Sequence, residues 1–197
     1  MEEQRLKKLI DRTKQKDTKA FSEVYEYYYR KLSGYVFRRV LNSDISQDIV
    51  SNTFFKVLDS IKKFKWVDMA SFNGWIYRIA INEVHQYFRK QKKYKFVPEE
   101  EIEKFFTTQQ RSEDIEFVEK ELDQHESFMK LNKAIRKLKP KYQDIVHLRY
   151  FEELSLPEIA SAMKMKEVTL RVYLHRALLV LKEVLLDEGL FESGLNI

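Results

Sequence analysis

The sequence lacks cysteine altogether and has little glycine or proline, with four and three respectively among 197 residues. The absence of cysteine excludes disulfides, thiolate-bound metals and a cysteine nucleophile. Because glycine and proline are scarce, few sharp turns are available and helices should dominate. No apolar run approaches the roughly 18 residues of a membrane-spanning helix, and the charged N-terminal stretch lacks the apolar core of a signal peptide. We therefore expect a cytoplasmic protein with no direct membrane insertion.

Charged residues are abundant and slightly unbalanced towards the basic side. They make up 34% of the chain against 44% hydrophobic residues, which is typical of a soluble protein with real cores. The length predicts one or two domains. A net charge of +5 permits a polyanionic partner without requiring one.

The stretch from Ser71 to Lys95 is the clearest candidate for a nucleic-acid contact. On a helix, at about 100° per residue, it forms an apolar arc and an opposite polar arc without acidic side chains. The apolar arc holds Ile76, Ile79, Ala80, Val84 and Tyr87. The polar arc holds Trp75, Arg78, Asn82, His85, Gln86 and Arg89, and Lys90, Lys92, Lys93 and Lys95 follow it. Such side chains suit phosphates, base edges and unstacked bases, although a solvated basic face has the same composition.

The connection before this helix, Lys65 to Ala70, contains Trp66 and Met69. A loop with these side chains beside a basic helix would wrap an extruded base. A tryptophan that is simply buried in a loop is the alternative.

An amphipathic helix is predicted from Asp17 to Leu41, with Asp17 as its N-cap. Its buried stripe should contain Phe21, Val24, Tyr28, Leu32, Tyr35 and Val36. A second helix is predicted to begin at Asp44, which forms a capping-box pattern with Gln47, and to run to about Phe64.

The second helix carries a candidate docking spot for another protein. Its core face should include Ile49, Val50, Thr53, Phe54, Val57, Leu58 and Ile61. Phe55 lies roughly opposite that face, with the polar residues Asp48, Asn52 and Lys56. An exposed phenylalanine among polar residues is typical of a protein-binding surface, but isolated apolar residues are also common on surfaces.

A strongly acidic segment divides the chain. From Glu99 to Glu126 eleven carboxylates face three cations, and apolar periodicity is sparse. The change of composition predicts an interdomain linker. We therefore expect a domain over residues 1–97, an acidic linker over 98–127 and a second domain over 128–197.

The second domain contains the pattern of a helix-turn-helix. Short helices are predicted over Phe128 to Leu138 and Lys141 to Phe151, and Ser155 with Glu158 forms a capping box. A tight turn at Lys164 to Lys166 then leads into a long helix, Glu167 to Leu186. In a helix-turn-helix the second helix lies in a major groove, whereas a plain helical hairpin would have no such role. The side chains that would reach DNA are Thr169, Arg171, Val172, His175 and Arg176.

Together these segments resemble the sigma-70 family of sigma factors, of the small two-domain extracytoplasmic-function (ECF) type. DISQDIVSNTFFKVLDSIKKF resembles the polymerase-docking helix, and SFNGWIYRIAINEVHQYFRKQKK resembles the promoter-melting, −10-reading helix. LKPKYQDIVHLRYFEELSLPEIASAMKMKEVTLRVYLHRALLVLKEVL resembles the C-terminal, −35-reading helix-turn-helix. The order and spacing of these segments, with an acidic linker between them, are highly specific.

The resemblance implies an all-α protein with two small helical domains, region 2 and region 4. It implies a factor that binds RNA polymerase core, directs initiation at promoters and assists DNA melting, without enzymatic activity or cofactor. Its partners would be the β′ clamp helices and β subunit of the polymerase, promoter DNA and, by family habit, an anti-sigma factor. By the resemblance, the residues that would contact the clamp helices are Asp48, Asn52, Phe55 and Lys56. Those carried over to the −10 region are Trp66, Trp75, Arg78, Asn82, Gln86, Arg89 and Lys90, and those to the −35 region are Lys166, Thr169, Arg171, Val172, His175 and Arg176.

Three positions depart from the family pattern. Asn52 stands where Glu is usual, Lys166 where a capping Ser is usual, and Val168 where Gly is usual. Val168 and Val172 thus place two apolar side chains outward, where they would touch thymine methyls or a covering partner. The alternative function is a helix-turn-helix regulator that acts without polymerase.

Overall fold

A computed structural model describes residues 1–91 and 125–187, which contain helices and no strand. The helices are α1 (Glu3–Lys14), α2 (Thr18–Val40), α3 (Ser43–Ser60), α4 (Met69–Gln91), α5 (His125–Lys137), α6 (Pro140–Val146), α7 (Leu156–Ala162) and α8 (Glu167–Asp187). A 3-10 turn, Ile61–Lys63, extends α3, and a π-helical turn, His147–Phe151, extends α6. The all-α prediction is confirmed. The acidic linker lies outside the described residues except for its last three positions, so the domain boundaries stay predictions.

Helix α2 matches its prediction closely. The side chain of Asp17 accepts a hydrogen bond from the backbone N–H of Ala20 at 3.0 Å and so caps the helix. The predicted stripe is buried at Val24, Tyr28 and Leu32, while Phe21 is half-buried. An amphipathic helix α1, which the sequence did not lead us to expect, packs on α2 through Leu6, Leu9 and Ile10.

Helix α3 begins differently from the prediction. Its N-cap is Asn42, whose side-chain oxygen accepts from the N–H of Ile45 at 2.9 Å. Asp44 already lies in the first helical turn, so the predicted Asp44–Gln47 capping box is wrong. The reason is that α2 ends at Leu41 in the left-handed conformation, and the chain turns directly into a helix at Ser43.

The two helical domains share one main core. Helices α1 to α4 supply most of it, and Ile145, Leu148, Leu154 and Ile159 of the C-terminal domain complete it. A smaller core joins α5, α6 and α8 through Ile135, Leu138, Val146, Ala177 and Leu181. The C-terminal domain therefore packs directly on α4 and α2.

Buried charges line this junction between the domains. The carboxylate of Asp144 is 0% exposed. It accepts hydrogen bonds from Arg39 Nε at 2.8 Å and from the Tyr35 hydroxyl at 3.0 Å, and it lies 2.6 Å from His85 Nε2. Burial, together with the negative charge of Asp144, raises the pKa of Tyr35, so its hydroxyl keeps the proton that it donates.

Glu152 forms a second buried cluster beside the first. It pairs with Arg38 and accepts a hydrogen bond from the Tyr77 hydroxyl at 2.8 Å. Burial raises the pKa of Glu152, and the positive charge of Arg38 opposes that rise. His147 lies in the same region, where burial and then the charges of Arg39 and Arg38 lower its pKa well below 6.5.

We expect His147 to make the protein less stable in mild acid. Because its pKa is lower in the folded chain than in the unfolded chain, the stability it contributes is present above about pH 6.5 and is lost as the pH falls below that value. The wild type should lose up to about 1.4 kcal/mol of unfolding free energy per pH unit relative to His147→Gln. Urea unfolding between pH 7.5 and 5.5 measures this difference. The exposed His175, changed to Gln, is the control, and parallel wild-type and His147→Gln profiles would contradict the expectation.

Candidate nucleic-acid and protein interfaces

The polar row of α4 is open at its C-terminal end. Asn82, Arg89 and Lys90 are exposed and Gln86 is half-buried. These four residues lie on the outside of the N-terminal domain as the helical spacing predicted. They offer amide and cationic groups to a ligand.

The same row is covered at its N-terminal end. The guanidinium of Arg78 donates hydrogen bonds to the backbone oxygens of Ser161 and Ala162, the latter at 3.4 Å. These oxygens belong to α7, the first helix of the helix-turn-helix. His85, in the middle of the row, is held by Asp144. The helical wheel placed Arg78 and His85 on the correct arc, but it did not predict that the C-terminal domain would meet them there.

The two tryptophans sit in an aromatic cluster. Trp75 packs on Phe64 and Phe72 with ring centroids 4.9 and 5.5 Å apart, and Trp66 stacks on Phe72 at 6.3 Å. Both tryptophans are half-buried, so each keeps an exposed part while its ring supports the connection between α3 and α4. Beside Trp75 is a shallow depression lined by Lys63, Lys65 and Arg78 together with Ser161.

The helix-turn-helix is built by local contacts. Ser155 and Glu158 form the predicted capping box at the start of α7. After α7 the chain turns at Lys164, whose φ is 52°, and the N–H of Met165 donates to the oxygen of Ala160 at 3.0 Å. This left-handed ending confirms the predicted turn and directs the chain into α8.

All the residues predicted to contact the −35 region are exposed. Lys166 directly precedes α8, and the outward face of α8 carries Thr169, Arg171, Val172, His175 and Arg176. Arg171 is paired with Glu167 one turn earlier, at 2.5 Å. Val168 is 74% and Val172 44% exposed, so the two branched apolar side chains do point outward.

The predicted docking face on α3 is also exposed. Asp48, Asn52 and Phe55 lie on the surface, and Phe55 is 72% exposed. The ammonium of Lys56 pairs with Glu83 of α4 and so braces the two helices. Leu58, predicted to face the core, is 47% exposed. Its position three residues after Phe55, which puts it on the same side of the helix, was the signal for this.

Within residues 1–91 and 125–187, no group of three or more His, Asp or Glu side chains could hold a metal ion. In the same ranges, no helix has the length and apolar character required to cross a membrane.

Two family models match the chain in sequence order. The sigma-70 region 2 model matches residues 24–94, and the sigma-70 region 4 model matches residues 128–181. The RNA polymerase sigma factor YlaC of Bacillus subtilis is 30% identical over 164 residues, which is 83% of this chain and 91% of the relative. The ECF RNA polymerase sigma factor SigW of the same organism is 28% identical over 188 residues, covering 94% and 99% of the two chains.

Solved structures show the same fold at lower identity. CnrH, in complex with the cytosolic domain of CnrY, aligns with a TM-score of 0.65 and 15% identity, covering 91% of this chain and 96% of CnrH. The sigma factor RpoE, in complex with the anti-sigma factor NepR from Bartonella quintana, aligns with a TM-score of 0.59 and 17% identity, covering 85% and 97%. With two sigma-70 regions in order and relatives matched over nearly their whole length, the chain belongs to the sigma-70 family of RNA polymerase sigma factors, in its ECF group.

Proposed function

We propose that this protein joins RNA polymerase core in the cytoplasm and directs it to promoters by contacting the −10 region with α4 and the −35 region with α8. The observation that carries the proposal is a pair of exposed polar and basic helix faces, one in each domain of a sigma-70 chain. Phosphate contacts would position the two domains, and base contacts would choose the site.

At the −10 region, Asn82, Gln86, Arg89 and Lys90 are the accessible part of the row, and Arg78 extends it. The depression beside Trp75 is where an unstacked base would lie. Unstacking costs a few kcal/mol per base, and stacking on an aromatic ring returns about 1–3 kcal/mol. Strand separation would thus be driven by binding, without ATP.

At the −35 region, α8 would enter the major groove with its N-terminal half. Arg176 and His175 offer donors to base edges, and Lys166 offers a cation to phosphate. We expect Val168 and Val172 to meet thymine methyls there.

The polymerase would dock on α3. Phe55, flanked by the exposed Leu58 and the polar Asp48 and Asn52, forms an apolar centre with a polar rim. The β′ clamp helices are the expected occupant, and the β subunit would hold the C-terminal domain. An anti-sigma factor is a further proposed partner, since the structurally similar sigma factor RpoE was solved in complex with the anti-sigma factor NepR.

Phe55→Ala should weaken binding to polymerase core. An exposed aromatic at the centre of an interface contributes about 2 kcal/mol or more, so the dissociation constant should rise about 30-fold. Fluorescence anisotropy of labelled protein titrated with core enzyme measures it. Lys19→Ala, which shortens an exposed side chain at the start of α2, away from α3's docking face, should bind as the wild type does.

Competition for the core enzyme in the same titration distinguishes the proposed function from the alternative one. A regulator that acts without polymerase would not compete with another sigma factor for the core enzyme. If unlabelled wild type failed to displace a second sigma factor, the proposed function would be wrong.

Val172→Ser should change promoter preference at the −35 region. One buried methyl is worth about 0.8 kcal/mol, so preference for thymine at the contacted position should fall about fourfold. Transcription of a promoter library by the reconstituted holoenzyme, with transcript starts sequenced, measures it. Val180→Ser alters the same residue type two turns further along α8 and should leave the preference unchanged. An unaltered library profile for Val172→Ser would overturn the groove contact.

A further inference from the structure

Helix α1 precedes the part of the chain that matches sigma-70 region 2. That match begins at residue 24, whereas α1 spans Glu3–Lys14. The helix nevertheless belongs to the core of the N-terminal domain, where it packs on α2, on the 3-10 turn Ile61–Lys63 and on α4. The 3-10 turn and α4 are the two elements that the Lys65–Ala70 connection joins. Helix α1 therefore contacts the protein on both sides of that connection.

The start of α4 is capped partly by its own residues. The first N–H groups of a helix have no partner within the helix and need one from elsewhere. Asp68 Oδ1 accepts from the N–H of Ser71 at 2.7 Å, and Ser71 Oγ accepts from the N–H of Asp68 at 3.2 Å. The N–H of Phe72 donates to the backbone oxygen of Asp68 at 3.3 Å. These contacts form a reciprocal cap, but they do not include the N–H of the first helical residue.

Helix α1 supplies the partner for that first residue. The N–H of Met69 donates to Glu3 Oε1 at 3.1 Å. A carboxylate is favoured in this position because the N-terminus of a helix carries a partial positive charge. The side chain of Glu3 thus fixes the point at which the Lys65–Ala70 connection enters α4.

The other end of the connection is also in contact with α1. The ammonium of Lys14 lies 6.0 Å from the centre of the Phe64 ring, within the range of a cation–π attraction. Phe64 in turn packs on Phe72 and Trp75, with ring centroids 5.3 and 4.9 Å apart. The first and last residues of α1 therefore hold the two ends of one connection.

These two ends form part of the wall of the depression beside Trp75. Phe64 and Ser71 both line it. Residues 64–68 between the ends are neither helix nor strand, so no backbone ladder fixes their shape. The conformation of this stretch depends instead on how its ends are held, and α1 contributes to both.

We propose that α1 keeps the Lys65–Ala70 connection in the shape that receives an unstacked −10 base, and that Glu3 is a positioning residue for promoter opening. Glu3 acts through Met69 and touches no DNA itself. The inference rests on the proposed function, because it takes the depression beside Trp75 as the place of the unstacked base. It assigns a role in strand opening to a helix that lies before the region 2 match.

Glu3→Ala tests the proposal in the holoenzyme. A carboxylate at a helix N-terminus shifts a local equilibrium by about two- to fivefold, so the rate constant of promoter opening should fall by about that factor. The apparent dissociation constant of the complex with the still double-stranded promoter should not change, because the contacts proposed for that complex do not include Glu3. A fluorescent adenine analogue in the −10 region of a promoter that the protein and core polymerase transcribe reports opening. Stopped-flow traces over a range of holoenzyme concentrations give both constants.

Two variants distinguish positioning from a change of charge or fold. Glu2→Ala removes the same charge from the neighbouring exposed residue, whose side chain makes no capping hydrogen bond, and should open the promoter at the wild-type rate. Glu3→Gln keeps an acceptor oxygen for the N–H of Met69 but loses the charge, and should recover part of the lost rate.

The shape of the connection can be followed in the free protein. The chain has two tryptophans, so Trp75→Phe leaves Trp66 as the single reporter within the connection. Trp66 is half-buried and stacked on Phe72, and releasing the start of α4 should expose it. Quenching of its fluorescence by acrylamide should therefore rise when Glu3→Ala is added to Trp75→Phe, and should stay the same when Glu2→Ala is added.

The outcomes separate the two proposals. If the wild type with core polymerase transcribes no promoter, the proposed function fails. Suppose instead that it transcribes, but Glu3→Ala opens the promoter as fast as Glu2→Ala does, or weakens the complex with the double-stranded promoter by the same factor as it slows opening. Either result would overturn the positioning role of Glu3 and leave the proposed function standing.

Discussion

The structure depends on one buried carboxylate, that of Asp144, which is fully enclosed between the two domains. A charge in that position is tolerated only when its partners are fixed, and Arg39, Tyr35 and His85 supply them from the opposite domain. The C-terminal helices can therefore pack on the N-terminal bundle in one register. A slip along α4 would leave Asp144 without Arg39, and that would cost several kcal/mol.

Such contacts give specificity more than net stability. A buried ion pair roughly breaks even against desolvation, so when the domains separate, water takes over the partners of Asp144 and Glu152 at little net cost. The larger cost of separating the domains is hydrophobic, because Ile145, Leu148 and Ile159 would become exposed to water. A partner that separated the domains would therefore have to cover these apolar side chains, and DNA has little apolar surface with which to do so. The polar clusters thus determine how the two domains pack together. The cost of exposing the apolar side chains determines which partner could separate them.

Sequence periodicity predicted most of what is local. The stripe on α2 followed from residues spaced three and four apart, and the Ser155–Glu158 capping box marked the start of α7. The start of α3 was missed because Asn42 and Asp44 are both good capping residues, and only the left-handed Leu41 decides between them. The sequence did not predict the contacts between the two domains, for a different reason. Arg38, Arg39 and Asp144 look like ordinary surface charges, and nothing in local spacing pairs residues more than a hundred positions apart.

The polar row of α4 shows why the sequence predicted which residues share a face but did not predict what covers that face. Spacing fixes the angle of Arg78 around the helix axis, and that angle is right. What it meets there is the C-terminal end of α7, whose last carbonyls have no acceptor role within their own helix. A guanidinium satisfies such oxygens by the same donor geometry that it uses for phosphate oxygens. A face rich in donors suits a nucleic acid and, for the same chemical reason, suits the carbonyl end of a neighbouring helix. The residue types that make this surface a candidate for DNA binding are therefore the same ones that allow it to bind the end of α7.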